Sequence, residues 1–132
     1  MTALSTQITA MPREAQLRLA LKLDAVVTGA NGAAYLALAG PLEDLLGVEA
    51  ALLRPVGAFL LAFAAFVYVV ATRPEVPRAG VTAVIEANVL WVIGSLAFVV
   101  LGASSPDTAG SVWTVMQAAV VAALAGLQAR LR

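Results

Sequence analysis

Between Arg54 and Arg73 the chain reads PVGAFLLAFAAFVYVVAT, eighteen residues from Pro55 to Thr72 without a charged group. In water such a stretch would need apolar cover on every side. In a bilayer it needs only length, because about 20 apolar residues rising 1.5 Å each cross the hydrocarbon core. Helix is then the natural conformation, since lipid offers no partner to free backbone N–H and C=O groups. Comparable stretches follow and precede it, and the connections are short, so neighbouring helices are expected to run antiparallel. The sequence thus predicts an all-α integral membrane protein, a four-transmembrane-helix antiparallel (up-down) bundle. Its single domain covers 12–132, with spans at about 12–39, 55–72, 79–103 and 110–128, after a disordered cytoplasmic N-terminus over 1–11.

Local signals set the boundaries. Pro12 suits a first helical turn, and Gly40 and Pro41 are expected to end the first span. The second span begins at Pro55 or earlier, near Val48. RPEVPR is a stiff turn between spans two and three, and SSPD closes the third. PLEDLLGVEAALLR reads either as a short interfacial helix, with Leu42, Leu45 and Leu46 toward lipid, or as a plain loop. In the second span Phe59, Phe63 and Phe66 share a side expected to meet lipid or pack as core. Ala58, Ala62 and Ala65 lie on another, which would let a neighbouring helix approach closely.

Composition agrees with lipid as solvent: 61% of the residues are hydrophobic and 12% charged, against about 45–50% and 25% in soluble domains. Eight basic residues balance eight acidic ones, so nucleic acid is not an expected partner. Neither cysteine nor histidine is present, which excludes disulfides and Cys or His catalysis; no metal or cofactor is expected. The N-terminus lacks the basic-then-apolar order of a secretory signal. Seven arginines against one lysine in the whole chain, with abundant Ala, Val, Leu and Gly, resemble high-GC bacterial proteins. Arg13, Arg18, Arg73, Arg78, Arg130 and Arg132 fall on one side of the spans and only Arg54 on the other. The positive-inside rule then predicts a multi-pass protein of the bacterial cytoplasmic (inner) membrane with both termini in the cytoplasm.

Against this apolar background the polar residues are ordered. Asp24, Thr28, Asn31 and Tyr35 fall in one narrow sector of the first span. Lys22 lies on a different face and cannot neutralise Asp24 within its own helix. In the third span Asn88, Trp91 and Ser95 share a face that Glu86 does not. In the fourth, Trp113, Gln117 and Gln128 align. With the helical rise, Asp24 and Glu86 sit roughly 10 Å inside the cytoplasmic boundary, and Asn31 and Gln117 roughly 20 Å. Charged groups at such depths normally face a bundle interior, so the stripes are expected to meet as one polar seam.

Each residue then has two readings. Asp24 is a ligand- or proton-binding carboxyl, or a structural group paired with Arg130 or Arg78. Glu86 is a second carboxyl, or the partner of Lys22. Asn31, Asn88 and Gln117 are ligand contacts, or interhelical amide bonds worth about 0.6 to 2 kcal/mol each. Trp113 and Tyr35 suit an interfacial belt, Tyr35 also a pocket hydroxyl, and Trp91 either core or pocket wall. In GANGA, the pairs Ala25–Gly29 and Gly29–Ala33 suit close helix contact within the bundle or in a homodimer.

A carboxyl in the first span and ANVLWVIGSL in the third loosely resemble the small multidrug-resistance transporters. The surrounding residues, the strong loop-charge bias and Glu86 depart from that family, so the likeness stops at architecture. Three functions are expected of such a chain. The first is binding or transport of a small amphipathic or lipid-like ligand in a polar intramembrane pocket built from Asp24, Asn31, Tyr35, Asn88, Trp91 and Gln117, with Asp24 available to couple binding to protonation. The second is a non-catalytic assembly subunit, with a homo-oligomer or another membrane protein as partner. The third is a membrane-embedded isomerase or cyclase using Asp24 and Glu86 as acid and base, which requires both carboxyls to reach one substrate.

Overall fold

The computed structural model describes residues 12–101 and 107–132. The segment 1–11 and most of SSPD lie outside them. The described residues form five helices: α1 (Arg13–Ala37), α2 (Ala39–Leu46), α3 (Ala50–Thr72), α4 (Arg78–Leu101) and α5 (Thr108–Leu131). Helices α3, α4 and α5 are each long and apolar enough to cross a membrane, and α1 with α2 passes the same test as one span bent by 96°. The outward surface suits lipid: Leu90 is 68% exposed, Ile93 59% and Phe59 57%. These three to four candidate spans are the profile of a membrane protein.

The bend between α1 and α2 falls at Leu38 (φ −119°, ψ 26°), two residues before the expected Gly40-Pro41 break. Both residues instead belong to the first turn of α2. Proline is tolerated there because a first-turn N–H has no intrahelical acceptor. Of the three leucines expected to face lipid, only Leu45 is exposed; Leu46 is buried and Leu42 packs beside it, with Tyr35, Val48 and Leu53. Gly47 closes α2 at φ +70°, and a Cβ there would lie 2.7 Å from the backbone N of Asp107. That close approach lets the Asp107 N–H donate to the Leu46 carbonyl at 3.1 Å. The Ala50 N–H donates to Glu43 Oε1 at 2.6 Å, so a side chain of α2 satisfies the N-terminus of α3. Helix α3 consequently begins five residues before Pro55.

Helix α1 packs along the length of α3, and α4 along α5; α1 also meets α5, whereas α3 and α4 touch only slightly. The tightest point is Gly32 against Gly57, where a Cβ on either would come within 2.8 Å of the other's carbonyl oxygen. The buried face of α3 is Leu53, Gly57, Leu60, Ala64, Val67, Val70 and Ala71. Ala58, Ala62 and Ala65 are exposed instead of lining a close contact, because Gly57 and Ala64 supply the small residues on the inward side. Likewise Ala33 faces outward, and Gly32 takes the place expected for it. Phe59, Phe63 and Phe66 stack along the flank of α3 at centroid distances of 6.2 and 6.4 Å.

At the arginine-rich end, Arg18 donates to the carbonyls of Ala71, Arg73 and Pro74. A cation on the last carbonyls of a helix satisfies them and complements the helix dipole. Glu14, paired with Arg18 at 3.4 Å, accepts from the Val76 N–H. RPEVPR is therefore held against α1 by side-chain bonds as well as by its prolines.

Candidate functional site

The polar stripes do converge, but as three separate tiers. The first is centred on Asp24, whose side chain is fully buried. Its Oδ1 accepts from Thr28 Oγ1 at 3.0 Å. Its Oδ2 accepts from Asn88 Nδ2 at 2.7 Å and from Gln128 Nε2 at 2.8 Å. Asn88 also donates to Gln128 Oε1 at 3.3 Å. One carboxylate thus ties α1, α4 and α5 together, with amides and a hydroxyl as partners. Neither Arg78 nor Arg130, the expected cations, bonds to it. Gln128 was visible in the sequence only as a member of an aligned face; its position three turns beyond Gln117 is what brings it level with Asp24.

The second tier is Trp91, Gln117 and Ser95. Trp91 Nε1 donates to Gln117 Oε1 at 2.7 Å. Gln117 Nε2 donates to Ser95 Oγ and to the Thr114 carbonyl, both at 3.1 Å. In the third tier Trp113 Nε1 donates to the Tyr35 hydroxyl at 2.8 Å. The indole and phenol expected to form an interfacial belt are bonded to each other instead.

Space lies between and beyond the tiers. A void of about 30 Å3, lined by Thr28, Asn31, Asn88, Trp91 and Gln117 among others, separates the first tier from the second. A larger cavity of about 280 Å3 lies on the other side of the Trp91–Gln117 bond. Tyr35, Trp91, Ser95, Trp113 and Gln117 supply its polar atoms; Leu46, Val48, Leu53, Val56 and Phe98 supply apolar wall. Leu52 on α3 and Leu90 and Gly94 on α4 line it while remaining exposed. Its mouth therefore opens on the slight α3–α4 seam. No charged residue lines it.

The six residues expected to form one pocket are thus divided. Tyr35, Trp91 and Gln117 line the larger cavity; Asn31 and Asn88 line only the small void; Asp24 lines neither. Ser95, Trp113 and Phe98 join the cavity, and of these Ser95 and Trp113 were marked by their shared faces. Glu86 is exposed, as is Lys22, and no ion pair joins them. The reason is geometric. Each stands two residues, about 200° of helix, before an inward-pointing member of the Asp24 tier. Neither Asp24 nor Glu86 lines the void or the larger cavity. Among the described residues no group of acidic side chains could hold a metal ion.

Compared with known proteins, the chain matches no family model, no curated protein and no solved structure.

Proposed function

We propose that this protein binds a neutral amphipathic, lipid-like molecule in the 280 Å3 cavity, admitted sideways from the bilayer through the α3–α4 seam. The protein is read as a four-span antiparallel bundle of the bacterial cytoplasmic membrane, with both termini cytoplasmic, a reading that the arginine distribution supports. The cavity then lies in the outer half of the membrane. Its size falls just below the roughly 300–1,000 Å3 usual for small-molecule pockets.

The observation that carries the reading is the state of the cavity's hydroxyls. Tyr35 accepts from Trp113, and Ser95 accepts from Gln117. Neither donates its own proton to another described residue. Two hydrogen-bond donors therefore border an apolar, uncharged space. They suit an acceptor oxygen, such as an ester carbonyl, whose attached chain lies along Leu53, Val56 and Phe98. Asp24 takes no part in contact; it fixes the helices that shape the floor. Passage through the bundle would have to break the Asp24 tier, so binding is favoured over transport. An acid–base reaction lacks its second carboxyl in the same space.

The chain has two tryptophans, Trp91 and Trp113, and both line the cavity. Quenching of their fluorescence by a brominated monoacylglycerol in zwitterionic vesicles is expected to saturate. Gly94→Leu should abolish the saturable part, since a Cβ at Gly94 meets no atom within 4 Å and the side chain has the mouth to fill. Equal, unsaturable quenching in both proteins would show contact with bulk lipid only and defeat the proposal.

A further inference from the structure

Among the charged side chains that the fold does not use, two stand well inside candidate spans and carry opposite charges. Lys22 on α1 and Glu86 on α4 are exposed within candidate spans, and neither has a hydrogen-bond or ionic partner among the described residues. Their placement is fixed by the Asp24–Asn88 bond of 2.7 Å. That bond sets Asp24 and Asn88 at the same level and facing each other. Gly32 of α1 meets Gly57 of α3 while Arg18 meets Ala71, so α1 and α3 run in opposite directions. Helix α5 also opposes α1, since Asp24 meets Gln128 and Tyr35 meets Trp113. It opposes α4 as well, since Asn88 meets Gln128 and Ser95 meets Gln117. Hence α1 and α4 are parallel. Lys22 and Glu86, each two residues earlier, are then level with one another and point outward from opposite sides of the molecule.

We infer that copies of this chain associate side by side in the membrane, Lys22 of one pairing with Glu86 of the next. A lone ammonium or carboxylate directed at acyl chains is costly, and the usual remedy is an opposite charge at the same depth. A second copy of the chain supplies that opposite charge at the same depth. The surfaces around the two groups permit it. Val26, Ala30 and Ala33 continue the exposed Lys22 side of α1, and Ala83 and Leu90 flank Glu86 on α4; small side chains let membrane helices approach closely. Because donor and acceptor lie on opposite sides, the contact is head-to-tail. It propagates into a row or a ring and cannot close as a two-fold dimer.

The absence of cysteine from the sequence makes this directly testable. A chain carrying both Leu19→Cys and Ala83→Cys, exposed positions one turn before Lys22 and Glu86, keeps both charges; oxidised in intact membranes, it should give a ladder of dimers, trimers and larger species. The Leu19→Cys and Ala83→Cys single variants should remain at least tenfold less cross-linked. No ladder from the double variant, or equally efficient dimers from a single variant, would overturn the inference. In the second arm, Glu86→Lys should lower the oligomeric fraction in lipid nanodiscs several-fold, and adding Lys22→Glu should restore it. Oligomers indifferent to Glu86→Lys would equally refute the pairing. Both sites face outward and neither lines the cavity, so the result is independent of ligand binding.

Discussion

The two ends of the molecule use the same polar chemistry to opposite effect. At the arginine-rich end, Asp24, Thr28, Asn88 and Gln128 spend their hydrogen bonds on one another. Around them Leu17, Leu21, Val67, Val70, Val81 and Val84 form a buried core, and the space at this end, about 230 Å3, is a cleft bordered by Arg13, Glu14, Arg78 and Arg132. At the other end Tyr35, Ser95, Trp113 and Gln117 are also bonded, but two of their hydroxyls still have a proton to give, and the core opens into a cavity. The difference teaches that a polar residue in a membrane helix marks a site only where its bonding capacity exceeds what the fold consumes. Asp24 is the most conspicuous side chain in the sequence and the one most completely consumed.

That contrast breaks most sharply at Asp24 itself. Asp24→Ala leaves the Gln128 amide buried without an acceptor and Asn88 with only its 3.3 Å bond to Gln128, and breaking such a buried network is expected to cost about 3–5 kcal/mol. Denaturant titration in mixed micelles measures it. A loss under ~1 kcal/mol would show that the tier does not fasten the helices. Gly57→Leu comes next. Its side chain must displace the Gly32 carbonyl and Tyr35, and overpacking of this kind costs about 1–3 kcal/mol. The same titration should show a reduced midpoint, while Gly40→Ala, where a Cβ meets nothing within 4 Å, should leave it within about 0.5 kcal/mol.

What the sequence could reveal follows the same division. The spans were legible because lipid imposes one simple requirement, and eighteen apolar residues in a row meet it whatever their neighbours do. The inward stripe was legible because Asp24, Thr28 and Tyr35 recur at helical spacing. Helix boundaries were less so: α3 starts at Ala50 because Glu43, on another helix, caps it. The bend falls at Leu38 and not at Gly40 because Pro41 has no N–H for the Ala37 carbonyl and its ring crowds that carbonyl, so the break lies a turn before the proline. The partition of the stripe into tiers could not be read at all. It depends on the rotation of α5, which puts Gln128 beside Asp24 and Gln117 beside Trp91. Equal depth suggested a Lys22–Glu86 pair within one chain, but depth carries no information about which corner of a bundle a helix occupies.

At the cavity the contrast is sharpened by addition. Gly94→Leu replaces a helical glycine, which itself destabilises by roughly 0.5–1 kcal/mol relative to alanine, and places apolar atoms over an open mouth. Stability should rise by about 0.5–1 kcal/mol while saturable quenching disappears. At the Asp24 tier no substitution should show this opposition of stability and binding. A destabilised Gly94→Leu protein would mean that the mouth is closed in the membrane.

The smallest effects are expected from the two unspent hydroxyls, and they discriminate most finely. Tyr35→Phe removes the proton offered to the ligand together with the acceptor for Trp113, whereas Ser95→Ala removes the offered proton together with the acceptor for Gln117. A neutral hydrogen bond contributes about 0.5–1.5 kcal/mol, so each variant should weaken monoacylglycerol binding about 2- to 10-fold. Each should shift stability by about 1 kcal/mol or less, because the indole and the amide face a cavity where other acceptors can be reached. Binding is read from the saturable tryptophan quenching, with Trp113 silenced by Trp113→Phe where its loss of a partner would confuse the signal. If either hydroxyl bonds the ligand, an ether analogue lacking the ester carbonyl should bind the wild type as weakly as the ester binds the variant, and the variant should no longer distinguish the two. Equal ester preference in wild type and in both variants would leave the cavity with shape alone to recognise its ligand, and the two ends of the molecule would then differ in packing but not in chemistry.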